Sequence, residues 1–197
     1  MDPFTQTFDI AALLERIARL MRSAEHETKL NPAQWEALRY LARCNRYSNS
    51  PGALKDYLAA TKGTISQTLM ALERKGLIEK TNRAGDRRSV ALALTATGSK
   101  TLSWDPWQRL EVYVKELAPE HRRALLTALR AILGQEIART RLKSFGRCRR
   151  CRHFELNGAS NDPSGPHRCN LFRSPLNAGD AERICAAHEP GSTSPAA

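Results

Sequence analysis

Four cysteines crowd the C-terminal part of the chain: Cys148-x2-Cys151, then seventeen residues to Cys169, then fifteen to Cys185. Two thiolates two residues apart can grip one metal ion from a tight turn, and Cys185-x2-His188 repeats that spacing with a different second donor. Cys148, Cys151, Cys169 and Cys185 are therefore the expected metal ligands, with His188 as the substitute for one of them. His153 and His167 also lie within three residues of a cysteine. The surrounding segment carries Asn157-Gly158, Pro163, Gly165-Pro166 and Pro175 and little that builds a core, so a metal's binding energy is what would fold it. Tetrahedral zinc tolerates long, uneven spacings and is the expected cofactor. An iron–sulfur cluster is the alternative, and free redox-active thiols are the third reading. The remaining cysteine, Cys44, ends a helical stretch and reads as a small core hydrophobe rather than a redox sensor.

A second group of residues suited to recognition lies between Leu54 and Leu94. The short amphipathic segment Leu54–Ala60 breaks at Thr61, whose hydroxyl can accept from the next helix's unsatisfied N–H groups. That helix sets Ile65, Leu69 and Leu72 on one stripe, while Lys62, Thr64, Ser66 and Gln67 face outward near its start. Short polar donors and acceptors at a helix N-terminus suit base edges in a major groove. Gly76 ends the helix. Leu77–Lys80 and Ser89–Leu94 follow as strand candidates, the second alternating Val90, Leu92 and Leu94 onto one face. Between them Thr81–Arg88 is a turn carrying Arg83, Arg87 and Arg88, which makes a basic hairpin tip beside a recognition helix.

The run T-K-G-T-I-S-Q-T-L-M-A-L-E-R-K-G-L-I-E-K, then Asp86-Arg87-Arg88, then L-T-A-T-G, resembles the MarR family of bacterial transcriptional regulators over most of Phe8 to Gly146. The resemblance implies a homodimer, base reading by Thr61 to Gln67, a minor-groove contact from Arg87 or Arg88, and Asp86 holding an arginine in place. It also implies room for a small aromatic effector between the winged helix and the dimer layer. One departure is the pair Ala59-Ala60, where the family has a glycine before the cap; a tighter turn is expected there.

The elements that must position these groups are mainly helical. Ile10, Leu13, Leu14, Ile17, Leu20 and Met21 form the stripe of a first helix, and Asn31-Pro32 opens a second that buries Trp35, Leu38, Leu41 and Ala42. Asn45 to Pro51 reads as a polar loop. After the hairpin, Leu102, Trp104, Trp107, Leu110, Val114 and Leu117 continue an apolar face. Pro106 must kink or split that face, with Asp105 a candidate new cap. Pro119 begins a helix carrying Leu125, Leu126, Leu129, Ile132, Leu133 and Ile137. Together with the first helix this stripe exceeds what one winged helix covers, so a dimer is expected; packing within one chain is the competing reading. Arg139 to Arg152 is strongly basic and either adds phosphate contacts or is simply solvated.

The fold class expected is mainly α: a winged helix-turn-helix with a helical dimerisation layer and a small metal-bound segment. The domain division is 1–146, then a cysteine-rich segment 147–190, then a disordered tail 191–197. Thirty-one Lys and Arg against twenty Asp and Glu give a net charge of +11 and favour a polyanionic partner. With no apolar run of about 18 residues and no signal-peptide pattern in Met1–Gln6, the expectation is a soluble, cytoplasmic protein with no membrane partner. A disulfide framework is not expected in that setting. No phosphate loop, Gly-x-Ser-x-Gly or His-Glu-x-x-His occurs, so an enzyme is not expected. Double-stranded DNA is the expected partner, bound at a pseudo-palindromic operator to repress by occlusion. Two other classes compete: an RNA-binding or architectural nucleic-acid protein, and a winged-helix protein-interaction module.

Overall fold

Polar caps start the helices of the N-terminal half. In the computed structural model, which describes residues 3–25, 29–83 and 86–191 and side chains from residue 5 except 83–89, a long α1 (Pro3–Glu25) leads to α2 (Pro32–Arg43). Asn31 opens α2 by accepting from the Gln34 N–H at 2.9 Å, and Gln34 reaches back to the Asn31 N–H. Ser50 caps α3 (Pro51–Tyr57), Thr61 caps α4 (Lys62–Arg74) and Thr95 caps α5 (Ala96–Leu102) in the same way. Helix α3 starts earlier than Leu54 because Ser50 and Pro51 supply a cap and a first turn. It stops at Tyr57 because Ala59 turns left-handed, with φ 49. The turn into α4 is therefore made by an alanine in glycine's conformation rather than by tightening.

Between α4 and α5 lies an antiparallel hairpin, β1 (Ile78–Arg83) and β2 (Asp86–Leu94), in register from Ile78 opposite Leu94 to Asn82 opposite Val90, with a bulge before Arg83. Both strands run further toward the tip than their apolar residues suggest, because backbone pairing continues where no core contact is needed. Gly98 of α5 sits where a Cβ would come 2.0 Å from the Leu77 carbonyl, so only glycine fits. Trp35, Leu38, Leu54, Leu72 and Leu92 are fully buried among α2, α3, α4 and the hairpin.

Helix α5 ends before Pro106, and α6 (Gln108–Glu116) and α7 (Pro119–Thr140) follow. Asp105 accepts from the Trp107 N–H at 3.0 Å, but its larger task is a bidentate pair with Arg39, both bonds 2.7 Å. Arg39 also holds Glu25 at 2.6 Å, and the Trp107 indole donates to the same carboxylate at 2.9 Å. This buried network ties α1, α2 and the α5–α6 turn together. Burial opposes the Arg39 charge, yet its bonds to Asp105 and Glu25 outweigh that and hold its pKa above the ordinary value. Trp104, expected on the apolar face, is exposed instead, since the turn at 103–107 rotates it away from the helix stripe. Helices α6 and α7 contain no buried residue.

The C-terminal module is built from very short elements. Strand β3 (Gly146–Arg147) pairs with β7 (Ile184–Cys185); β4 (Phe154–Glu155), β5 (His167–Cys169) and β6 (Ser174–Leu176) form a second sheet; α8 (Ala178–Ala181) precedes β7. The module is docked on the winged helix: Phe145 packs edge-on to Tyr57 and Tyr40. Of the stretch expected to be a disordered tail, Gly191 bonds the Arg150 carbonyl at 3.1 Å, and 192–197 lie outside the described residues.

Candidate nucleic-acid interface and cysteine centre

Helix α4 presents two unlike faces. Ile65, Thr68, Leu69 and Leu72 are buried, while Lys62, Thr64, Ser66 and Gln67 are exposed. Thr61 is spent on the cap: its hydroxyl oxygen accepts from the Thr64 N–H at 3.1 Å and lies 2.9 Å from the Thr64 hydroxyl. The outward first turn thus offers an ammonium, hydroxyls, an amide and the helix N-terminus, a surface suited to phosphate and base edges. The wing's Arg83, Arg87 and Arg88 have side chains outside the described residues, as does the tip, 84–85. Their backbone places them at the far end of the hairpin, away from the Ile78–Leu94 end that joins the core.

The four clustered cysteines share one pocket wall. Cys148, Cys151, Cys169 and Cys185, with His153, line one small pocket closed by Tyr47, Phe154, Phe172 and Leu176. All are free thiols. The Cys148-x2-Cys151 turn is held by a bond from the Cys151 N–H to the Cys148 carbonyl at 2.8 Å. Sulfur atoms here accept polar hydrogens: the Asn45 amide donates to Cys148 Sγ at 3.3 Å, the Glu189 N–H to Cys151 Sγ at 3.5 Å, and Ser48 and the Ala187 N–H to Cys185. Cys148 donates its thiol hydrogen to Cys185, which lowers the Cys185 pKa and raises that of Cys148. As placed, the thiols line the pocket without being drawn to one point: among the described residues, no three His, Cys, Asp or Glu side chains are grouped to hold a metal ion.

His188 is not among the pocket's lining residues. Its ring packs on Gly146, where a Cβ would come within 2.6 Å of it, and burial holds its imidazole below its ordinary pKa. His153 Nε2 stands 3.2 Å from Glu189 instead. The buried thiol of Cys44 lies outside the cluster, pushed up to about 11 by burial, and behaves as core.

Sequence reasoning missed the seat of this module, the loop between α2 and α3. Asn45 and Ser48 are fully buried. The Asn45 N–H donates to the Ile184 carbonyl at 2.9 Å, and the Ala186 N–H donates to the Ser48 hydroxyl at 2.8 Å. Tyr47 stacks on Phe172 at 4.4 Å and shares a hydrogen bond with Ser174, while Arg46 bonds the Pro175 carbonyl and pairs with Asp180. The basic run is also answered locally: Arg147 and Arg149 pair with Glu182, Arg152 with Glu189, and Lys143 with Asp56 of α3.

Residues 30–98 match the family model of a winged helix DNA-binding domain. No curated protein matches the chain. Among solved structures, the chain is similar to Streptococcus pneumoniae FabT in complex with DNA, at 19% identity and TM-score 0.54, over 71% of this chain and 99% of that one. It is similar to an S. aureus MepR–DNA complex at 23% identity and TM-score 0.51, over 64% of this chain and 96% of that one. It is also similar to a MarR transcriptional regulator from Methanosarcina mazei, at 21% identity and TM-score 0.52, over 68% and 98%. The fold is thus a winged helix, and part of this chain lies beyond what those structures match. No helix among the described residues is long and apolar enough to cross a membrane.

Proposed function

We propose that this chain is a MarR-type transcriptional regulator that binds a pseudo-palindromic DNA operator as a homodimer and represses by occlusion. The observation that carries this reading is the polarity of α4: a stripe locked into the core by Ile65, Leu69 and Leu72, with Lys62, Thr64, Ser66 and Gln67 held outward on the other side. FabT and MepR, which share the fold, have been crystallised with DNA. The dimer rests on the exposed Phe8, Ile10, Leu13 and Leu20 of α1 and Leu126, Ile132 and Leu133 of α7, an apolar surface that a second copy would cover. A small aromatic effector would sit between the winged helix and the dimer layer; the groove of about 520 Å³ beside α4 lies on the winged helix itself and mixes Ile65, Leu69 and Val90 with Lys55, Asp56, Lys62 and Lys80. The cysteine module would carry a metal centre.

Selection of duplexes from a random pool, followed by competition gels against unselected duplex and RNA, tests the reading. Enrichment of a two-fold symmetric site that resists both competitors is expected. Equal competition by random duplex would mean an architectural protein, preference for RNA an RNA-binding one, and no retention of either nucleic acid a protein-interaction module.

A further inference from the structure

The C-terminal module lacks an ordinary core. Its buried cluster is Cys148, Cys169, Leu176 and Cys185, so cysteine occupies the places where a small domain needs large hydrophobes. Its strands are two or three residues long, and every cysteine is a free thiol. Segments of this kind hold their shape when thiolates are bound to a metal. The hydrogen bonds already aimed at Cys148 and Cys151 match that chemistry, because N–H donors stabilise sulfur carrying negative charge.

One of those donors, Asn45, does not belong to the module, and neither does Ser48, whose hydroxyl oxygen accepts from the Ala186 N–H. They lie in the loop that also builds the DNA-reading unit. Four residues past Asn45, Asn49 accepts from the Leu92 N–H at 2.7 Å and donates to the Leu92 carbonyl at 3.1 Å, which pins wing strand β2. Ser50 caps α3, the first helix of the helix-turn-helix. The Tyr40 hydroxyl, itself buried, fixes the Ser48 carbonyl at 2.6 Å. One loop of six residues thus receives the cysteine module on one side and holds the helix-turn-helix and wing on the other.

We propose that Cys148, Cys151, Cys169 and Cys185 form a four-thiolate site for a soft metal, either a zinc ion or an iron–sulfur cluster, and that the Asn45–Ser50 loop transmits its occupancy to DNA affinity. The coupling rests on the DNA-binding reading above; the metal site does not. Metal binding would release the thiol protons to solvent and draw the four sulfurs inward from the pocket wall. Loss of the metal melts the module, removes the partners of Asn45 and Ser48 and frees the loop that orients β2 and α3. The route runs through these buried bonds and not through the arginines of residues 147–152, three of which are paired within the module.

The test uses the full chain purified anaerobically. Close to one zinc per chain in colourless protein, or iron with acid-labile sulfide and visible absorption, is expected. Metal-free protein whose Asn45 and Ala186 amides stay protected from hydrogen exchange, or a Cys148–Cys185 disulfide found by alkylation and mass spectrometry, would overturn the site. The loaded protein then selects a duplex from a random pool; if it selects none, the DNA-binding reading fails while the metal content still stands. On the selected duplex, removal of metal by chelator is expected to weaken binding by about tenfold, within the usual range of allosteric coupling. Equal affinity before and after removal would overturn the coupling. Asn45→Ala endangers the winged helix itself, so Tyr47→Phe is the second variant: it keeps the stack on Phe172 and loses the hydroxyl's bonds to Ser174 and to the Arg46 guanidinium. It is expected to release metal to a chelator several-fold faster with unchanged thermal stability of the winged helix, and an unchanged release rate would count against the loop as the seat.

Discussion

Ala59 holds φ 49 at the turn between α3 and α4, in the left-handed region that costs an L side chain about 1 kcal/mol relative to glycine. Ala59→Gly is therefore expected to stabilise the protein by roughly 0.5–1 kcal/mol. The readout is a higher urea midpoint at an unchanged slope, and a lower midpoint would show that the Ala59 methyl packs favourably. On the recognition face, Gln67 is exposed one turn into α4, where an amide can pair two base-edge atoms at once. Gln67→Ala should lose roughly 1–3 kcal/mol on the selected duplex and little on random DNA. Equal losses on both would remove Gln67 from the base-reading set. These residues were legible in the sequence because their signals are local: a threonine before the helix, a stripe at steps of three and four, a glycine after it. The conformation of Ala59 was not legible, since alanine announces an ordinary helical residue and only the packing of α3 against α4 forces the turn.

Between elements, the strongest tie is electrostatic and buried. The Arg39, Glu25 and Asp105 side chains are 11%, 1% and 5% exposed, so Arg39→Ala strands two carboxylates beside one another away from water. A loss of about 3–5 kcal/mol is expected from chemical denaturation. Asp56, paired with Lys143 and Lys55, shows the surface counterpart: its hydrogen bonds to these lysines, Lys143 first, hold its carboxyl below the ordinary value. A depressed carboxylate stabilises the fold above its unfolded pKa, and that share is lost as pH falls through the folded one. Asp56→Asn should therefore cost under about 1 kcal/mol at neutral pH and nothing once both forms are protonated, so the two stability curves converge on acidification. Divergence instead would assign Asp56 another role. The α2–α3 loop marks where reading by pattern stops. Asn45 and Ser48 look like loop polars because their partners, Cys148 and Ala186, lie 103 and 138 residues further along the chain. The cysteine spacing pointed to a shared site, and the four thiols line one pocket, but nothing in it announced the platform beneath them.

For the molecule as a whole, the unanswered surface is helical. Helix α7 is 22 residues long without one buried side chain, and α6 has none either, yet helices of these lengths gain their stability from packing rather than propensity. Leu125, Leu126, Leu129, Ile132 and Leu133 on α7 and Phe8, Ile10, Leu13, Leu14 and Ile17 on α1 are all more than a third exposed. Apolar patches of this extent on a lone chain mark an interface. In the proposed dimer a second copy would supply the matching stripe by symmetry and would set two α4 helices about one DNA turn apart, as a pseudo-palindromic site requires. Each copy brings a net charge of +11, which opposes pairing at low salt, so burial must exceed that repulsion. Sedimentation at micromolar concentration is expected to show a dimer at moderate salt, and Leu129→Glu with Leu13→Glu a monomer. The variant should keep the winged-helix melting transition, because neither residue touches the Trp35–Leu92 core, while its affinity for the selected duplex drops and the salt dependence becomes shallower as phosphate contacts are halved. A wild-type monomer that binds the same duplex with the same salt slope would sink the dimer and require the apolar stripe to be covered by a different partner.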